Sequence, residues 1–209
     1  MPSLTKITLD KSNAATRLNL SKGMSDIKVK LQWNSQPAQQ KKGFFASLLG
    51  SSTIDLDLGI YVELVDGKRF VIDPLQFAHD HSRKGSLSGV PFVLHSGDDR
   101  SGGGGELILV SGQNISRVKR LVVYTYIYEG AAQWRATDAH VHVEVPGQSP
   151  IDIVMGEQSD SRKMCALAQV EVGSGGGTLE VKRLMTFHTG HDDCDRAYSW
   201  GFQWSAGSK

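Results

Sequence analysis

The chain has 209 residues, 39% of them hydrophobic and 22% charged, with a formal net charge of +1. Its apolar runs fall far short of the ~18–20 residues that cross a bilayer, and near-neutral charge supplies no field that would gather nucleic acid or an acidic membrane. The two cysteines, Cys165 and Cys194, make no disulfide framework, and the opening residues lack the apolar stretch of a secretory signal, so a cytoplasmic globular protein with two buried thiols is expected.

Alternation governs the chain. "IKVKLQW" places Ile27, Val29, Leu31 and Trp33 on one face and Lys28, Lys30 and Gln32 on the other. Residues 35–53, "SQPAQQKKGFFASLLGSST", break the pattern and read as an inserted loop carrying the apolar patch Phe44, Phe45, Leu48 and Leu49. Such a patch either folds back over a sheet edge or docks a partner. "IDLDLGIYVEL" resumes the period of two, with Asp55 and Asp57 opposite the stripe Ile54, Leu56, Leu58 and Ile60. Asp66-Gly67 then predicts a tight turn returning through "KRFVID".

Short strands follow in "PFVLH", "ELILV", "VKRLVVYTYIY", "HVHVEV", "PIDIV", "MCALAQVEV", "TLEVKRLMTFH" and "AYSWGFQW". "VGSGGGTL" is a flexible hairpin loop between two of them, and no long segment has a helical period. Ten or more such strands between turns predict an all-β fold, an antiparallel sandwich of two packed sheets with long loops, forming one domain over 1–209.

The stretch "GDDRSGGGGE" carries the chemistry. Asp98 and Asp99 open a glycine-rich loop and Glu106 closes it. If the loop lies beside Asp55 and Asp57, five carboxylates converge. Two negative charges ~5 Å apart repel by roughly 3 kcal/mol at an effective dielectric near 20. A divalent cation relieves this, and an all-oxygen set on flexible backbone is what calcium takes. The competing reading is a hairpin loop whose acids point into water. A phosphate cradle fails because no helix starts after the glycines and the acids repel phosphate.

Other clusters are weaker. His188, His191, Asp192, Asp193, Cys194 and Asp195 offer zinc-type ligands, but adjacent residues of an extended chain do not converge on one ion; a polar turn with an acid–Arg196 contact is the simpler expectation. His140 and His142 share a strand face with Glu144 and read as a solvated sheet surface. Tyr198, Trp200, Phe202 and Trp204 read as an aromatic packing stripe. No G-x-S-x-G elbow or H-E-x-x-H is present, which leaves catalysis without a motif.

"IDLDLG", "HSGDDRSGGGGE" and "GHDDCDRAYSWGFQW", in this order, resemble the TerD-domain family of tellurium (tellurite) resistance and stress proteins, most of all its TerA-like branch. The likeness extends to "GFFASLLG", "YIYEGAAQWRATDAHVHVEVPGQSPI" and "RKMCALAQVEV". It implies a two-sheet sandwich that binds calcium through an acidic surface loop, and no established catalytic activity. It also implies other tellurium-resistance proteins as partners, a membrane-bound one among them, which would bring a cytoplasmic protein to the periphery of the inner membrane. The family's ligand positions fall on Asp55, Asp57, Asp98, Asp99 and Glu106. Gly102 to Gly105 stand where relatives carry more aspartates, so one ion rather than two is implied. The function expected is non-enzymatic: calcium orders the loop against the DLD strand and shapes a surface for docking or self-association. The alternatives are a module that binds a small anionic ligand or nucleotide through the glycine loop, or a metal-dependent hydrolase using residues 188–195.

Overall fold

The computed structural model describes residues 4–33, 54–78, 80–97, 105–130, 132–155 and 158–205. The inserted loop at 35–53, Asp98, Asp99 and Gly102 to Gly104 lie outside the described residues.

The alternating segments form strands with nearly the bounds their periodicity predicts. They are β3 (Ile27–Gln32), β4 (Asp55–Leu64), β5 (Arg69–Ile72), β7 (Val93–His95), β8 (Glu106–Val110), β9 (Val118–Glu129), β10 (His140–Glu144), β11 (Ile151–Val154), β12 (Met164–Val172) and β13 (Thr178–His188). Three short strands add to these: β1 (Ile7–Leu9), β2 (Ala15–Asn19) and β6 (Gly85–Ser86). They pack as two sheets, a seven-stranded one ordered β1-β11-β10-β3-β8-β7-β6 and a six-stranded one ordered β2-β13-β12-β9-β4-β5. The expected antiparallel sandwich is the fold, with one modification: β1 joins β11 in parallel, Ile7 opposite Ile151.

The inward faces form one apolar core that includes Leu31, Leu56, Leu58, Ile108, Val141 and Leu167. A second apolar cluster lies on the outer face of the six-stranded sheet, where Tyr61, Tyr124, Tyr126, Met164, Cys194 and Trp200 are buried together. This face is covered because the chain after β13 folds back over it. The segment read as a polar turn is a helix, α3 (His191–Tyr198), ended by Ser199 in a left-handed conformation. The segment read as a last strand has no strand structure from Trp200 to Ser205. It is held as a strap instead: the Asp195 carboxylate accepts from Gly201 N–H, Phe202 N–H and the Trp204 indole, while the Arg69 guanidinium donates to the Ser199 and Trp200 carbonyls.

Covering the outer face changes the environment of β4. Its side chains are buried on both faces from Leu56 to Leu64, so the Asp57 side does not meet water as the alternation alone implied. Tyr61 stacks on Trp200 at a centroid distance of 5.1 Å, and Arg120 sits over the same indole at 4.2 Å. Both cysteines are buried and free.

Candidate functional site

The site forms where a strand runs out of partner. β5 pairs with β4 from Glu63 down to Ile60, with Ile60 opposite Ile72 and Val62 opposite Phe70. Extending that register puts Pro74 opposite Leu58, and proline has no N–H to continue the ladder. The chain leaves the sheet there into a short helix, α1 (Pro74–Phe77), with Asp73 as its N-cap.

Side chains of the other sheet take over the abandoned edge. The Leu58 N–H donates to Glu106 Oε2 at 2.5 Å, and the Leu58 carbonyl accepts from His95 Nε2 at 2.9 Å. His95 Nδ1 accepts from the Gly97 N–H at 3.0 Å, which fixes the ring proton on Nε2. Glu106 and His95 lie 3.7 Å apart and both side chains are fully buried. Together they act as a side-chain substitute for one ladder rung, and they tie β7 and β8 to β4 across the sandwich.

Glu106 therefore stands beside the DLD strand, as the sequence led us to expect. Asp57 is also fully buried, while Asp55, at the strand's start, is partly exposed. Of the two described ends of the acidic loop, Gly97 donates to His95 and Gly105 packs against Leu31 of β3. Gly105 has φ +81° and a β-carbon there would come within 2.2 Å of the Leu31 carbonyl oxygen, so the position accepts only glycine. Asp98 and Asp99 belong to the intervening residues outside those described.

His95 was not singled out from the sequence, although it shares an inward face with Val93. Its role depends on contact with Leu58, 37 residues away. Both ring nitrogens are committed to backbone groups, so His95 keeps no lone pair for a metal ion. Among the described residues, no group of three or more His, Cys, Asp or Glu side chains is arranged to hold a metal ion.

A polar chain runs from Asp57 beneath the strap. The Tyr126 hydroxyl donates to Asp73 Oδ1 at 3.2 Å and lies within hydrogen-bonding reach of the Asp57 carboxylate. Asp73, with no exposed surface, also accepts from Tyr124 Oη at 2.6 Å, His191 Nε2 at 2.9 Å and Leu75 N–H at 2.8 Å. Burial pushes the Asp73 carboxyl up, but the His191 hydrogen bond and charge and the Tyr124 hydroxyl outweigh it and leave it below the usual carboxylate range. Burial first, then the charges of Asp73 and Asp57, drive the Tyr126 phenol far above its ordinary value. Tyr126 remains a neutral donor.

The remaining clusters are structural. Asp192 pairs with Arg196 at 2.9 Å, the acid–arginine contact expected, now one helical turn apart. Asp193 accepts from Thr189 N–H at 2.9 Å and approaches His188 Nδ1 at 3.6 Å. Burial pushes the Cys194 thiol up to about 12, which leaves it protonated and a poor ligand or nucleophile. His142 pairs with Asp152, and His140 meets Asp138 at 3.2 Å.

The architecture is that of a TerD-like sandwich. A structure of a homologue of the telluride resistance protein TerD from Streptomyces coelicolor superposes with a TM-score of 0.50 at 15% identity, covering 83% of this chain and 95% of that one. A crystal structure of a protein of unknown function gives a TM-score of 0.52 at 14% identity, covering 87% of this chain and all of the other. At these identities the likeness establishes the fold alone. The sequence goes further: the chain is 34% identical over 212 aligned positions to the tellurium resistance protein TerA of an Alcaligenes species, with 99% of this chain aligned. The chain belongs to the tellurium-resistance protein family. It spans 59% of the length of that TerA. No protein-family model matches the chain. No helix among the described residues is long and apolar enough to cross a membrane.

Proposed function

We propose that this protein is a non-enzymatic calcium-binding member of the tellurium-resistance family, in which the ion orders the acidic glycine-rich loop against the DLD strand. Asp55, Asp57, Asp98, Asp99 and Glu106 are its ligands, with backbone carbonyls and water completing the shell. The observation that carries this reading is the Leu58–Glu106 hydrogen bond, which joins the loop's closing residue to the strand bearing Asp57. On this reading the ion relieves the repulsion that five carboxylates drawn together would otherwise suffer.

Binding to the folded state stabilises it by RT ln(1 + [L]/Kd), and the same ordering gives the loop a defined surface. That surface docks other tellurium-resistance proteins, a membrane-bound one among them, or a second copy of the chain. Its working place is the cytoplasm, at the membrane periphery when docked. Calorimetric titration of calcium into chelator-treated protein tests the reading. Saturable binding with a rise in melting temperature is expected; no heat and no rise would end it.

A further inference from the structure

Tyr126 stands between two parts of the molecule. On β9 it lies opposite Asp57 of β4, and its side chain is buried. Its hydroxyl donates to Asp73 Oδ1 at 3.2 Å and also reaches the Asp57 carboxylate. A phenol has one proton to give. Two fully buried carboxylates, Asp57 on the DLD strand and Asp73 under the strap, therefore share a single donor. Asp73 has three further donors: the Tyr124 hydroxyl at 2.6 Å, the His191 ring at 2.9 Å and the Leu75 N–H at 2.8 Å. The bond from Tyr126 is the longest of the four, as befits a donor divided between two acceptors.

What Asp73 holds is the cover of the sheet. His191 is the first residue of α3, and its carbonyl also accepts from the Tyr61 hydroxyl at 3.3 Å. The same helix carries Asp195, whose carboxylate holds Gly201, Phe202 and the Trp204 indole. Closing this cover strips water from Asp73, so protein donors alone must answer its charge. Any share of the Tyr126 proton that turns to Asp57 is then withdrawn from Asp73. With the cover raised, water takes that place and the division matters little.

We infer that Tyr126 couples the DLD strand to the strap: removing negative charge from Asp57 turns its hydroxyl fully to Asp73 and tightens α3 and the strap over the six-stranded sheet. Substitution removes that charge directly. A calcium ion on Asp57 does the same, and this ion-driven form rests on the function proposed above. Weaker repulsion between the two carboxylates acts in the same direction. The Tyr126 hydroxyl is what separates a relay from that general effect.

Amide hydrogen exchange of the full chain, in chelator-containing buffer, reads the cover at Cys194, Gly201 and Phe202. Asp57→Asn, whose amide itself donates to the Tyr126 oxygen, should slow exchange there about fivefold, equivalent to ~1 kcal/mol. Tyr126→Phe alone should speed it, and in that background most of the gain from Asp57→Asn should vanish. Calcium added to the wild-type chain should slow the same amides, and should not do so in Tyr126→Phe. Unchanged exchange in Asp57→Asn, or equal slowing with and without the Tyr126 hydroxyl, would overturn the coupling. Should Asp57→Asn fail to fold, unchanged exchange in Tyr126→Phe overturns it instead. Slowing by Asp57→Asn, but none by calcium that binds calorimetrically, would uphold the coupling and remove Asp57 from the ligand set.

Discussion

Glu106 and Leu58 sit on different sheets, yet the carboxylate of one accepts the backbone N–H of the other directly, at 2.5 Å. Glu106→Gln keeps an acceptor in place, so folding should weaken by only about 1 kcal/mol. Glu106→Ala leaves the buried N–H of Leu58 without its acceptor and should weaken folding by about 2–3 kcal/mol. Urea unfolding of the two variants separates these outcomes. If Glu106 is a ligand as proposed, both should lower the calcium-induced rise in melting temperature, because both remove its charge.

Asp98→Ala should abolish most of the calcium-induced stabilisation while leaving the melting temperature of the calcium-free protein nearly unchanged. Differential scanning calorimetry with and without the ion reads both quantities. An undiminished rise would remove Asp98 from the ligand set.

Asp73 contributes to the acid limb of stability. Its carboxyl is held below the usual range in the folded protein, chiefly by His191 and Tyr124 against the opposing effect of burial. The unfolded chain, with an ordinary carboxyl value near ~3.9, therefore takes up the proton first as pH falls. The contribution is complete above that value and fades as pH drops toward the folded one. Asp73→Asn should cost about 3 kcal/mol at neutral pH and flatten the stability profile below about pH 4. Denaturant midpoints measured from pH 7 to pH 3 check the shape.

Gly59 lies directly under the Tyr124 ring, where a β-carbon would approach ring carbon Cζ to 2.2 Å. Gly59→Ala must displace a fully buried tyrosine that also donates to Asp73. A loss of about 2–4 kcal/mol is expected, partly restored by Tyr124→Phe if the clash is relieved by ring movement that the hydroxyl bond opposes. Thermal melts of the single and double variants measure the coupling.

Asp195→Ala removes the acceptor shared by Gly201, Phe202 and the Trp204 indole. The strap should loosen, at a cost of about 2 kcal/mol, while the sandwich core stays folded. Faster hydrogen exchange at Gly201 and Phe202, with β12 and β13 unaffected, is the expected signature.

Most of the sandwich was legible because a period of two reports which residues share a face, and "ELILV", "MCALAQVEV" and "TLEVKRLMTFH" became strands with the bounds they announce. What covers a face is a different matter. The Asp57–Tyr61 side of β4 reads as polar, yet it is roofed by Trp200 and α3 from far along the chain. Helix α3 escaped notice because "HDDCDRAY" has no apolar period; Cys194 and Asp195 are its buried positions, one in the tyrosine cluster and the other holding the strap. The pairing of Glu106 with the DLD strand was reachable through charge and family likeness. The roles of His95, Asp73 and Tyr126 were not, because each depends on a partner at least 37 positions away.

Pro74 ends a backbone ladder and hands its last rung to a carboxylate and an imidazole. An incoming β-strand from another molecule therefore finds no row of open amides at that stretch of β4, and edge-on polymerisation is blocked there without a gatekeeper lysine. Unlike a backbone rung, this closure answers to a single substitution, so tolerance of aggregation and tolerance of mutation at Glu106 and His95 should rise and fall together.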